Sequence, residues 1–186
     1  MSDERSDSVA TLGAAFAAFD RVTILGRGPS AIDDRGRSLP SYPVLVTGPT
    51  YAQRDVFAGE PAGVLIGTPP DLVQAIAERF HGTPPQKRPV LMYTFLSVVA
   101  PFDFSQFGIE PLPIGPTLHA AGLDGHDKRP YPTSGVFLML LAAALGKGAD
   151  VAGIDLYRHP SGQTYVGSHC DAARFVWPTS SSDSRS

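Results

Sequence analysis

Arg21-Val22-Thr23-Ile24-Leu25-Gly26-Arg27-Gly28-Pro29-Ser30-Ala31 is the stretch that decides the fold. Its first five residues are largely β-branched and apolar and read as a strand, stopped at Gly26. A glycine-rich turn follows. Gly26 and Gly28 accept positive φ, let a ligand approach the backbone and leave N–H groups free to meet phosphate. The string fits G-x-G-x-x-A, the dinucleotide-binding pattern. That pattern needs a carboxylate about 20 residues on to grip a ribose. Leu45, Val46, Thr47 and Gly48 stand there instead, and Pro29 removes a donor from the turn. A dinucleotide-dependent oxidoreductase is therefore the disfavoured alternative. A tight strand-to-helix turn without ligand is the structural one.

Working outward, Tyr42 to Val46, Ala62 to Ile66, Pro89 to Phe95 and Ala149 to Tyr157 read as further strands. Ala10 to Phe19 is Ala-rich and reads as an opening helix. Thr68-Pro69-Pro70-Asp71 is a helix start, with a capping threonine, prolines suited to the first turn and an acid at the positive end of the dipole. That helix runs to Phe80, with Leu72, Val73, Ile76, Ala77 and Phe80 on one face. Thr133 to Gly146 is a second helix, apolar on every side and hence expected to be buried. Asp171 to Val176 reads as a short last helix. Ala100 to Pro132, rich in Pro, Gly and His, reads as an irregular loop that serves a site. Strands alternating with helices predict an α/β fold: a single Rossmann-like domain with a mostly parallel sheet flanked by helices. The domain is placed at residues 10–179, between disordered tails at 1–9 and 180–186.

Composition narrows the function. Of 186 residues, 42% are hydrophobic, enough for a sizeable core, and 18% are charged. The net charge of −3, without a Lys/Arg run longer than two, disfavours a nucleic-acid or anionic-membrane footprint. A single cysteine, Cys170, excludes an internal disulfide. Five histidines (His81, His119, His126, His159, His169) show no zinc-ligand spacing, so no metal is expected. The polar, mixed-charge start from Met1 to Ser8 does not read as a secretory signal. The longest apolar run, Val136 to Leu145, is about half a membrane span. A cytoplasmic location is the expectation.

Two more constellations carry chemistry. Thr133-Ser134-Gly135 sets two hydroxyls and a glycine at the positive end of a helix, where free N–H groups receive anions. Ordinary capping by Thr133 or Ser134 is the alternative. Gly153-Ile154-Asp155-Leu156-Tyr157 is a strand end followed by a loop to Tyr165, then His169 and Asp171. Two phenols and an imidazole there suit a phosphate leaving group and proton removal. The alternative is two half-buried tyrosine anchors and a surface histidine.

In order and spacing, Gly28-Pro29-Ser30, Thr133-Ser134-Gly135-Val136 and Gly153-Ile154-Asp155-Leu156-Tyr157 resemble the motifs of the bacterial sialyltransferases of glycosyltransferase family 42. Around the helix they also resemble the wider sialyltransferase-like superfamily. The resemblance implies metal-independent transfer of sialic acid, or a related acidic sugar, from a CMP-activated donor to a glycan hydroxyl. It places Gly26, Arg27, Gly28, Pro29 and Ser30 in the nucleotide turn. Thr133, Ser134, Gly135 and Asp155 hold the nucleotide, and Arg129 contacts phosphate or acceptor. Tyr157 and Tyr165 bond the departing phosphate, and His169 is the base. The implied partners are the CMP-sugar and a glycan acceptor, with no cofactor. Arg27 stands where that family has an asparagine, a residue type this chain lacks altogether. A catalytically inactive nucleotide-binding or assembly protein is the other reading.

Overall fold

Ile24 and Leu25, Leu45 and Val46, Leu65 and Ile66, and Leu91 and Met92 are sequence neighbours buried in opposite cores. A strand turns successive side chains to opposite faces, so these pairs require a sheet covered on both sides. The computed structural model describes residues 3–26, 43–52, 60–67, 70–123 and 133–154. Within them, β1 (Arg21–Leu25), β2 (Val44–Thr47), β3 (Gly63–Ile66), β4 (Val90–Tyr93), β5 (Leu112–Pro113) and β6 (Gly148–Ala152) form one sheet. The order is β5-β4-β3-β2-β1-β6 and every pairing is parallel. In register, Ile24 lies opposite Leu45 on one side and Val151 on the other. The chain thus has the α/β fold its sequence predicts.

The helices are α1 (Asp3–Phe16), α2 (Gly48–Ala52), α3 (Pro70–Gly82), α4 (Leu96–Val99), α5 (Gly115–Ala120) and α6 (Ser134–Ala144). One face of the sheet buries Val22, Ile24, Leu45, Leu65 and Met92 under α1, α5 and α6, through Leu12, Phe16, Leu118, Phe137, Leu138 and Leu141. The other buries Leu25, Val46, Val64, Ile66 and Leu91 under α2, α3 and α4, through Tyr51, Val73, Ile76, Phe80 and Val99. The crossovers between β2, β3 and β4 carry α2 and α3 on one face. The crossover from β5 to β6 carries α5 and α6 on the other and lands beyond β1. The strand order thus reverses between β1 and β6, and in open α/β sheets ligands approach the carboxyl ends at such a reversal.

The structure differs from the sequence reading in four places. Residues 3–9, expected as part of a frayed tail, are helical, because Ser8, Leu12 and Phe16 recur at helical spacing and are buried. The helix at Thr133 to Gly146 is not buried all round. Phe137, Leu138, Leu141 and Ala142 are covered, Val136, Met139 and Leu140 are half-buried, and Ala143 is exposed. The last strand stops at Ala152 rather than Tyr157, because Gly153 takes a φ of 68°, which leaves the extended region. Within the expected loop, residues 103–123 are ordered into a 3₁₀ turn (Phe104–Phe107), β5 and α5. The helix read at Asp171 to Val176 and the tail at 180–186 lie outside the described residues. No helix among the described residues is long and apolar enough to cross a membrane.

Candidate functional site

Five of the six parallel strands bring a small or hydroxylated residue, at or just past their ends, to one edge of the sheet. Gly26 follows β1, Thr47 ends β2, Gly67 follows β3, Thr94 follows β4 and Gly153 follows β6. The amino terminus of α6 comes down on this edge. The Ser134 hydroxyl oxygen lies 2.7 Å from where a Cβ of Gly67 would stand, and the Thr94 hydroxyl oxygen 3.7 Å from the same point. Gly67 itself is exposed. The Thr94 hydroxyl is buried and makes no hydrogen bond. Thr133 has extended backbone at the N-cap position, but its side chain makes no capping bond. The first turn of α6 therefore presents its peptide N–H groups without a side-chain cap, at the positive end of an eleven-residue helix.

On the β1 side of α6 the space is already filled. A Cβ on Gly135 would stand 2.6 Å from Cδ1 of Ile154. A Cβ on Gly26 would stand 2.9 Å from Cγ1 of the same side chain and would collide with the Gly153 carbonyl oxygen. The Gly26 amide also donates to the Ala152 carbonyl at 2.8 Å, carrying the β1–β6 ladder one residue past the strand. Both glycines thus have a packing reason for their identity, alongside the ligand approach that the sequence suggests.

A second hydroxyl pair stands at the end of β2, where Thr47 and Thr50 are hydrogen-bonded at 2.9 Å. The short α2 that carries Thr50 is fixed from α3. The Arg79 guanidinium donates to the Tyr51 carbonyl, lies 4.2 Å over the Tyr51 ring and sits 3.7 Å from the Glu60 carboxylate. Phe95, next to Thr94, meets Phe137 of α6 edge-to-face with ring centres 6.0 Å apart. These contacts make the edge a fixed surface with a strip of hydroxyls, glycines and free amides across it. Chemically, such a strip receives an anion or a polyhydroxylated group.

Of the residues named from sequence, the structure brings together Gly26, Ser134 and Gly135 around Ile154 and Gly67, and it leaves Thr133 exposed at the helix head. Arg27, Gly28, Pro29, Ser30, Arg129, Asp155, Tyr157, Tyr165 and His169 lie outside the described residues. Gly67, Thr94, Thr47 and Thr50 were not singled out from sequence. Their one signal was position, directly after an apolar strand. Among the described residues no group of three His, Cys, Asp or Glu side chains is placed to hold a metal ion. A shallow cavity bordered by Phe80, Arg88, Leu91, Ile109 and Glu110 lies at the opposite, amino-terminal side of the sheet. Searches of protein-family models, curated proteins and solved structures return no match to this chain.

Proposed function

We propose that this chain is a glycosyltransferase that moves sialic acid, or a related acidic sugar, from a CMP-activated donor to a glycan hydroxyl. One observation carries the reading furthest: the uncapped head of α6 sits on the carboxyl edge of a parallel sheet, with Ser134 against Gly67 beside the unpartnered Thr94 hydroxyl. A phosphoryl group is the ligand that uses free helix-head amides and hydroxyls together. The resemblance of Gly28-Pro29-Ser30, Thr133-Ser134-Gly135 and Gly153-Ile154-Asp155-Leu156-Tyr157 to sialyltransferase motifs supplies the donor class.

In this reading the α6 head and the turn from Gly26 to Ser30 hold the cytidine monophosphate portion. Negative charge develops on the phosphate as the glycosidic bond to it breaks, so donors from Tyr157 and Tyr165 lower the barrier by stabilising the departing CMP. His169 takes the proton of the acceptor hydroxyl as that oxygen attacks the anomeric carbon. Charge balances without a metal, because CMP leaves as the anion and the imidazole ends protonated.

Release of CMP from CMP-sialic acid in the presence of a set of glycan acceptors tests the proposal. The wild-type chain is expected to release CMP, and His169→Ala to abolish release while CMP still binds. CMP binding without release by the wild type would leave a nucleotide-binding protein and end the transferase reading.

A further inference from the structure

We infer that Ile154 is a positioning residue, the spacer that sets the head of α6 against the end of β1. The two elements are distant in sequence, yet one side chain lies against the backbone of both. Its Cδ1 and Cγ1 occupy the space beside Gly135, at 2.6 and 3.2 Å from a Cβ placed there, and its Cγ1 the space beside Gly26, at 2.9 Å. At these distances something must shift, so a side chain at Gly135 would have to displace the end of Ile154, and one at Gly26 the Gly153 backbone as well as Ile154.

Ser134 against Gly67 and Phe137 against Phe95 hold this first turn on the β3 and β4 side, and Ile154 holds it on the β1 side. Thr133 gives α6 no side-chain cap, and Gly135 has no side chain of its own to anchor it. A β-branched residue suits the task, because its χ1 is restricted and it behaves as a stiff wedge. On the far side, Gly153 with its positive φ turns the chain so that residue 154 enters between the two elements. The volume at position 154 therefore sets the gap between the end of β1 at Gly26 and the helix-head amides. On the proposed function, which this consequence rests on, that gap is the span across which the nucleotide is held.

A double-mutant cycle tests the assignment. Ile154→Val removes Cδ1, the atom nearest Gly135, and Gly135→Ala adds the methyl that collides with it. Gly135→Ala alone should lower the melting temperature by roughly 5 °C, as overpacking in a domain of this size does. The double variant should melt no lower than Ile154→Val alone, because the added methyl fills the space the lost one leaves. Amide exchange at residues 134–136 should quicken in Ile154→Val and return in the double variant, with exchange at Leu141 and Ala142 unchanged throughout. CMP affinity should follow exchange, falling in Ile154→Val and recovering in the double.

Additive losses in melting temperature, or unchanged exchange at the helix head, would overturn the role of Ile154. A wild-type chain that does not bind CMP would instead remove the nucleotide reading. The melting and exchange cycle would then still decide Ile154 by itself.

Discussion

Gly13 and Gly26 are the same residue under opposite demands. A methyl on Gly13, inside α1, meets nothing within 4 Å, whereas one on Gly26 runs into the Gly153 carbonyl and Ile154. Gly13→Ala should therefore stabilise the chain by about 0.5–1 kcal/mol, through reduced backbone freedom in the unfolded state. Gly26→Ala should cost about 2–3 kcal/mol, since backbone has to move to admit the methyl. Urea denaturation of the two variants against wild type checks both signs at once. Arg79 makes a third case. Its side chain is only 9% exposed and is shared between the Tyr51 carbonyl, the Tyr51 ring and Glu60. Arg79→Ala should cost about 2 kcal/mol, mostly from the orphaned buried carbonyl and the lost ring contact. The distant and partly solvated Glu60 adds little. At this scale the candidate site was half legible. Gly26, Ser134 and Gly135 announced themselves because glycines and hydroxyls cluster in short motifs. Gly67 and Thr94 did not, since a lone glycine or threonine after a strand carries no pattern until the sheet brings strand ends together.

The elements that sequence reading found are those with a strong period and an abrupt stop. β1 was placed to the residue because its largely β-branched, apolar run stops at Gly26, and α3 was placed by Val73, Ile76, Ala77 and Phe80, all buried on one face. Ile76→Ala, at the centre of that face, should cost about 3 kcal/mol in urea denaturation by opening a cavity against the sheet. β5 escaped notice because two residues, Leu112 and Pro113, show no alternation. The 3₁₀ turn before it is held by a polar signal instead. The Asp103 carboxylate accepts from the Ser105 hydroxyl at 2.6 Å and from the Ser105 amide at 3.0 Å, and these bonds hold its pKa below the ordinary aspartate value. With the folded pKa lowered, this contribution is full above about pH 4 and is lost as pH falls through the lowered value. Asp103→Ala should accordingly lower stability more at neutral pH than at acid pH, as read from urea midpoints at the two conditions.

For the whole molecule, the fold class followed from alternation, since five apolar runs separated by helix-length segments leave few arrangements other than a parallel sheet covered on both faces. The place of β6 beyond β1, and with it the reversal of strand order, was not legible, because strand order is a long-range property that no local pattern encodes. That topology turns separate motifs into one edge. It sets α6, which begins more than a hundred residues after β1, with its head over Gly67 and Ile154 packed between Gly135 and Gly26. The central claim is that this edge holds CMP, and the melting temperature of the purified chain with and without CMP tests it most directly. At about one hundred times the dissociation constant, binding stabilises by about 2.7 kcal/mol, so a rise of roughly 5–10 °C with CMP and none with NAD is expected. No shift with CMP, or a shift with NAD alone, would contradict the account.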